Sequence, residues 1–233
     1  VHDRAASKTV RISVDSSGLQ ADGFCFSGFR GMSDDGAFVV FYSDAVHLIA
    51  NDTNNSYDVF IHNMATGATD RISTDSAGNE SDGGSYMAHL SSDGRYVVFE
   101  SVATNLVPGD TNIVQDVFVK DTASGITERI SVDSTGAEGK SNSYWGTISN
   151  DGRTVVFDSL AYNLVADDTN GLLDIFVHDR ITGNTQRVSV DSTGVQSDGN
   201  SVHGTISADG SFIAFASAAT NLVAGDTNAK VDI

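Results

Sequence analysis

Carboxylate and carboxamide side chains recur in the pattern Asp-x-Asn-x-x-x-Asp at four places: Asp52, Asn54 and Asp58; Asp110, Asn112 and Asp116; Asp168, Asn170 and Asp174; Asp226, Asn228 and Asp232. Oxygens on alternate residues of a tight loop can converge on one hard cation, so these residues are candidate metal ligands, with calcium as the ion. The same side chains also bond to nearby backbone N–H groups and brace a loop with no ion at all. Both readings are open at this point.

A second set stands out because it varies where its surroundings repeat. Phe29 and Arg30, then Tyr86, Met87 and His89, then Tyr144 and Trp145, then Val202 and His203 occupy corresponding short apolar stretches. Of these, Arg30, Tyr86, His89, Tyr144, Trp145 and His203 are candidate ligand-binding residues. Pockets combine apolar walls with a few polar groups, and an indole or phenol ring can stack on a sugar. The alternative is that large side chains merely fill a channel.

Other reactive residues carry weaker signals. His2, His62 and His178 share one repeated position, which suits architecture better than a unique catalytic base. Arg71 with Asp75, Arg129 with Asp133 and Arg187 with Asp191 read as surface ion pairs along an outer strand. There is no Gly-x-Ser-x-Gly, metalloprotease pair or Gly-rich phosphate loop, so no catalytic residue is assigned. The single cysteine, Cys25, makes no internal disulfide. Thirteen Lys and Arg against 31 Asp and Glu give a formal charge of −18, which repels a nucleic-acid backbone. No run of apolar residues is long enough to insert in a membrane. Val1 opens the chain with no initiator Met and no leader, which predicts a mature or excised piece.

The elements that hold these residues follow from a repeat. Asp52, Asp110, Asp168 and Asp226 are each 58 residues apart, as are Ser33, Ser91, Ser149 and Ser207 of a Ser-x-Asp-Gly turn. In the third copy the pattern reads as four strands: 143–149, 153–159, 174–179 and 185–191. Val-Val-Phe in the second strand, as Val97-Val98-Phe99 and Val155-Val156-Phe157, is apolar on both faces. One such sheet cannot hide both faces alone, so neighbouring copies must cover each other. The predicted fold is all-β: a β-propeller of four-stranded antiparallel blades, either a closed ring or part of a larger one.

Segments such as Ile148-Ser149-Asn150-Asp151-Gly152-Arg153-Thr154-Val155-Val156-Phe157 and Ile206-Ser207-Ala208-Asp209-Gly210 resemble the WD40-like PD40 repeat of TolB-type propellers. The resemblance spans all four copies and implies blades whose first strand lies nearest the central axis. It departs from the family in lacking the Pro of the usual Ser-Pro-Asp-Gly turn and in its longer loop between the second and third strands.

Val1-His2-Asp3-Arg4 matches Val177-His178-Asp179-Arg180, and Val231-Asp232-Ile233 matches Leu173-Asp174-Ile175. A single domain over 1–233 is expected, with residues 1–17 completing the blade formed by 203–233. The expected function is noncatalytic: an extracellular or periplasmic binding or scaffolding module, with a protein or glycan ligand, and with self-association or further blades as possible partners. Its rival is a carbohydrate-active lyase or hydrolase, or a lectin, with one site at the central channel.

Overall fold

A computed structural model describes every residue except Phe29 and Ala229. The strands are β1 (His2–Asp3), β2 (Lys8–Thr9), β3 (Cys25–Phe26), β4 (Phe38–Ser43), β5 (Asp58–Asn63), β6 (Thr69–Arg71), β7 (Ser85–Leu90) and β8 (Tyr96–Ser101). They continue with β9 (Asp116–Asp121), β10 (Thr127–Arg129), β11 (Ser143–Ile148), β12 (Thr154–Ser159), β13 (Asp174–Asp179), β14 (Asn184–Arg187), β15 (Ser201–Ile206) and β16 (Ile213–Ser217). No helix occurs among the described residues, so none is long and apolar enough to cross a membrane.

Three antiparallel sheets hold four strands each, in the chain orders β3-β4-β5-β6, β7-β8-β9-β10 and β11-β12-β13-β14. Each is a meander, because every connection is short enough to return the chain beside the strand it left. The Ser-x-Asp-Gly turn makes the first hairpin. Ser91 Oγ donates to Asp93 Oδ1 at 2.6 Å, Gly94 N donates to Ser91 O at 2.9 Å, and Gly94 takes a left-handed φ of 73°. Only glycine adopts that φ at little cost.

β-branched and aromatic residues make the middle strands, and they are buried on both sides. Val97, Val98, Phe99, Val117, Phe118 and Val119 show no exposed surface. Alternation then sends neighbours to opposite interfaces: Val97 and Phe99 pack with Val40 and Val59 of the preceding sheet, while Val98 and Val119 pack with Val155 and Ile148 of the next. Each complete sheet repeats a cross-strand Phe stack, Phe41 on Phe60 at 5.6 Å, Phe99 on Phe118 at 5.7 Å and Phe157 on Phe176 at 5.8 Å. The sheets are therefore blades, each successive pair sharing a core.

The ends are built differently. β1 and β2 pair only with each other, and β15 and β16 form a two-stranded sheet extended by a bridge between Ser217 and Asp232. The ladder expected between residues 1–17 and the last blade is not among the described pairings.

Blade spacing is tightest at the turn glycine of the third repeat. A Cβ on Gly152 would sit 2.1 Å from the ring of Tyr96 in the preceding blade, whereas one on Gly36 would meet nothing. Both residues have φ +71°. Gly36→Ala should cost only the left-handed strain, about 1–2 kcal/mol. Gly152→Ala should cost about 1–3 kcal/mol more because the Tyr96 ring must move. Urea midpoints of the two variants check this, and equal losses would refute the proposed Tyr96 contact.

Candidate functional site

The Asp-Thr-Asn loops close on an arginine from the outer strand. Arg71 Nη1 lies 3.0 Å from Asp58 and 3.7 Å from Asp52, and it also pairs with Glu80. Arg129 Nη1 repeats this with Asp110 at 3.1 Å, Asp116 at 3.3 Å and Glu138 at 3.0 Å. Arg187 does so with Asp168 at 3.3 Å and Asp174 at 3.4 Å. The arginine side chains are 7–8 % exposed, so these are interior clusters. This corrects the expectation of surface pairs with Asp75, Asp133 and Asp191. Those carboxylates accept hydrogen bonds from amides of their own turns, such as Ala77 N and Asn79 N at 2.8 Å each on Asp75, while the buried loop carboxylates draw the guanidinium inward.

These clusters do not fit calcium. Asp52, Asp58 and Glu80 bring ligand atoms within 4.8 Å of one another, but the guanidinium of Arg71 already supplies the positive charge there. The Asn54 amide nitrogen, not its oxygen, faces the site: Nδ2 donates to Asp58 at 3.2 Å, while Oδ1 accepts from Ser56 N at 2.7 Å. Asn112 and Asn170 do the same. Asp58 is also bonded by Ser73 and Ser81. The buried Oδ1 atoms of Asp52, Asp110 and Asp168 accept no hydrogen bond, and each faces an arginine Nη1. Burial, with the nearby Asp58 charge second, pushes the Asp52 carboxyl up to about 6. Burial works to raise Glu80 as well, but bonds from Thr53 and Arg71 prevail and hold it at about 2. In the last copy Asn228 Nδ2 still donates to Asp232 at 3.1 Å, with no ion pair among the described residues.

The repeated histidines are braces. His62 Nδ1 lies 2.9 Å from Thr69 Oγ1 and His178 Nδ1 lies 2.8 Å from Thr185 Oγ1. Lys120 takes the equivalent place and bonds to Thr74, Asp75 and Thr127.

On the first strand of each later blade, the chain bulges. The β7–β8, β11–β12 and β15–β16 registers shift at Tyr86/His89, Tyr144/Thr147 and Val202/Thr205. Met87, Trp145 and His203 there have φ of 49°, 52° and 59°. A carboxylate from the preceding blade holds two of these bulges: Glu100 accepts from Trp145 N at 2.7 Å, and Asp158 accepts from His203 N at 2.7 Å and Gly204 N at 3.1 Å. Burial pushes Glu100 up to about 7 and Asp158 up to about 6. The corresponding position in the first blade is Tyr42, whose ring meets Tyr86 edge-on at 6.1 Å, with Tyr57 5.6 Å from Tyr86.

Four of the six predicted ligand residues converge. Arg30, His89, Trp145 and His203 line a cavity of about 420 Å³ with Thr147, Gly204 and Thr205. Tyr86 is taken up by the tyrosine cluster, Tyr144 does not line the cavity, and Phe29 lies outside the described residues. Trp145 and His203 meet edge-to-face with ring centroids 4.7 Å apart. His89 is 3 % exposed; its Nδ1 donates to Gly146 O at 2.6 Å, so Nε2 is a bare acceptor, and it has no partner. Burial holds the His89 pKa below the ordinary histidine value, which favours the neutral ring.

No family model and no curated protein matches the chain. Among solved structures, it superposes on prolyl endopeptidases with a TM-score of 0.50 at 14 % identity, over 84 % of this chain and 26 % of theirs. It also matches the β-propeller domain of the Trilobed protease from Pyrococcus furiosus, with a TM-score of 0.43 at 16 % identity over 70 % of this chain and 41 % of that one. With blades stacked face to face and residues from all four repeats around one cavity, the fold is settled. The chain is a β-propeller. TolB from Acinetobacter baumannii is another match, as the repeat's resemblance implied, with a TM-score of 0.47 at 15 % identity over 95 % of this chain and 45 % of TolB. The chain thus spans less than half the length of each of these structures.

Three outcomes follow for the propeller. Glu100, Asp158 and Asp52 carry folded pKa values raised above the ordinary carboxylate range, so the stability they lend is complete below about pH 4 and lost as pH rises through 6 to 7. Buried His62, His89 and His178, held below the ordinary histidine range, act in the opposite direction over the same interval, so the check is a comparison: between pH 5 and pH 8 at constant ionic strength Glu100→Gln should lose less stability than the wild type, and equal pH slopes refute the assignment. Arg129→Met should cost about 3–5 kcal/mol by stranding buried carboxylates. Calcium or a chelator should leave the wild-type melting temperature in place, and a chelator-induced drop would restore calcium to these loops.

Proposed function

We propose that this propeller is a noncatalytic binding module working outside the cytoplasm, and that its ligand, a glycan, sits in the axial cavity. The observation that carries the reading is the unpartnered, buried Nε2 of His89 beside Arg30 and Trp145. A buried acceptor without a donor costs free energy, and such groups persist where a ligand completes them. A cavity of about 420 Å³ suits a small molecule or a short glycan rather than a folded protein surface.

The noncatalytic part rests on how the shifted acids are used. Glu100 and Asp158 are spent on backbone amides of the next blade, and the His89 Nδ1 is spent on Gly146 O. The location follows the repeat's resemblance to TolB-type blades, since TolB proteins are periplasmic.

Trp145 is the sole tryptophan, so its emission reports on this cavity directly. A panel of mono- and oligosaccharides should contain ligands that shift it saturably and whose proton NMR spectra stay unchanged after overnight incubation. His89→Gln and Thr147→Val should each weaken binding when measured well below the variant's own melting temperature, which falls because each side chain also holds a backbone carbonyl. Turnover of a bound sugar would convert the module into an enzyme, and full affinity in both variants would move the site elsewhere.

A further inference from the structure

We propose that the axial cavity selects a sugar acid, a hexuronate unit bound through its carboxylate and two neighbouring hydroxyls. The inference rests on the binding reading above and adds the ligand's chemistry to it.

The donors and acceptors on the cavity wall dictate the complement. His89 Nε2 can only accept, because Nδ1 already carries the proton given to Gly146 O. Thr147 Oγ1 donates to Gly204 O at 3.1 Å, which leaves its lone pairs to accept as well. A ligand must therefore bring two hydrogen-bond donors close together, which adjacent ring hydroxyls do. Arg30 is the lining residue that carries a fixed positive charge, and a guanidinium recognises a carboxylate in bidentate fashion. The Trp145 indole, held by its backbone amide on Glu100, is an aromatic wall against which the C–H face of a pyranose can lie.

Charge narrows the choice further. The chain carries a formal −18, so an extended polyanion is repelled at long range, and one carboxylate facing one arginine is what the local field tolerates. Behind the wall, Glu100 and Asp158 are already engaged by backbone amides and present no competing acceptor for the ligand hydroxyls. An aromatic hydroxy acid shares the carboxylate and a ring but brings a single donor, so it satisfies only one of the two acceptors.

The test titrates the full chain with glucuronate, galacturonate, glucose, galactose and 4-hydroxybenzoate, reading Trp145 emission for the sugars and calorimetry for all five. A uronate should bind at least about tenfold more tightly than its neutral sugar, the worth of a charge-assisted contact. Arg30→Met, at an exposed position, should erase that preference, so that acidic and neutral sugars bind the variant alike. Equal binding of acidic and neutral sugars overturns the carboxylate assignment and leaves the axial reading standing. Tighter binding of hydroxybenzoate overturns the sugar ring. Silence with all five overturns the inference outright, while the axial reading is still judged by the wider panel.

Discussion

The structure depends on sheets that are apolar on both faces. A strand such as Val97-Val98-Phe99 has no solvent side, so each blade must lie between two others or lose the burial that holds it. Face-to-face stacking then fixes what can stand at the interfaces. Aromatic rings settle over glycines, as Tyr96 does over Gly152, and any polar group caught between blades must find its partner across the gap.

Two kinds of trapped polar group show how that demand is met. Within a blade, fully buried Asp58, Asp116 and Asp174 are tied to serines, an asparagine amide and an arginine, so charge is matched where water is excluded. Between blades, Glu100 and Asp158 reach the amides of left-handed Trp145 and His203. Non-glycine residues in that region are strained by about 1–3 kcal/mol, and a carboxylate on the exposed amide offsets part of it. The strain has a product: it turns Trp145 and His203 toward one another at the cavity. Tyr42 and Tyr86 fill the equivalent space one interface earlier with rings, so the bulge at Met87 has no acid to hold it.

Most of the architecture was legible because it repeats. The 58-residue spacing of Asp52 and its copies, the Asp-Gly turns and the Val-Val-Phe strands each match an observed element. Charge pairing was less legible, because Arg71 and Asp75 are close in sequence while Arg71 and Asp58 meet only through the sheet. Glu80 and Glu138, partners of Arg71 and Arg129, went unnoticed since Gln196 breaks their pattern. Glu100 and Asp158 were also missed, although an acid inside an otherwise apolar strand was a usable signal. Variation among copies points to the residues at the cavity, but a one-dimensional pattern does not distinguish a ring that lines it from one engaged elsewhere, as Tyr86 is with Tyr42.

The carboxylates that steady the bulges at Trp145 and His203 belong to one repeat and the amides they hold belong to the next, so a duplicated or deleted unit of 58 residues at these seams carries away one half-lock and supplies another. A whole unit exchanged between two acidic seams leaves both half-locks matched, whereas one set beside Tyr42 meets a ring in place of an acid. The aromatic and acidic versions of the seam thus mark which neighbours a unit can accept along the array.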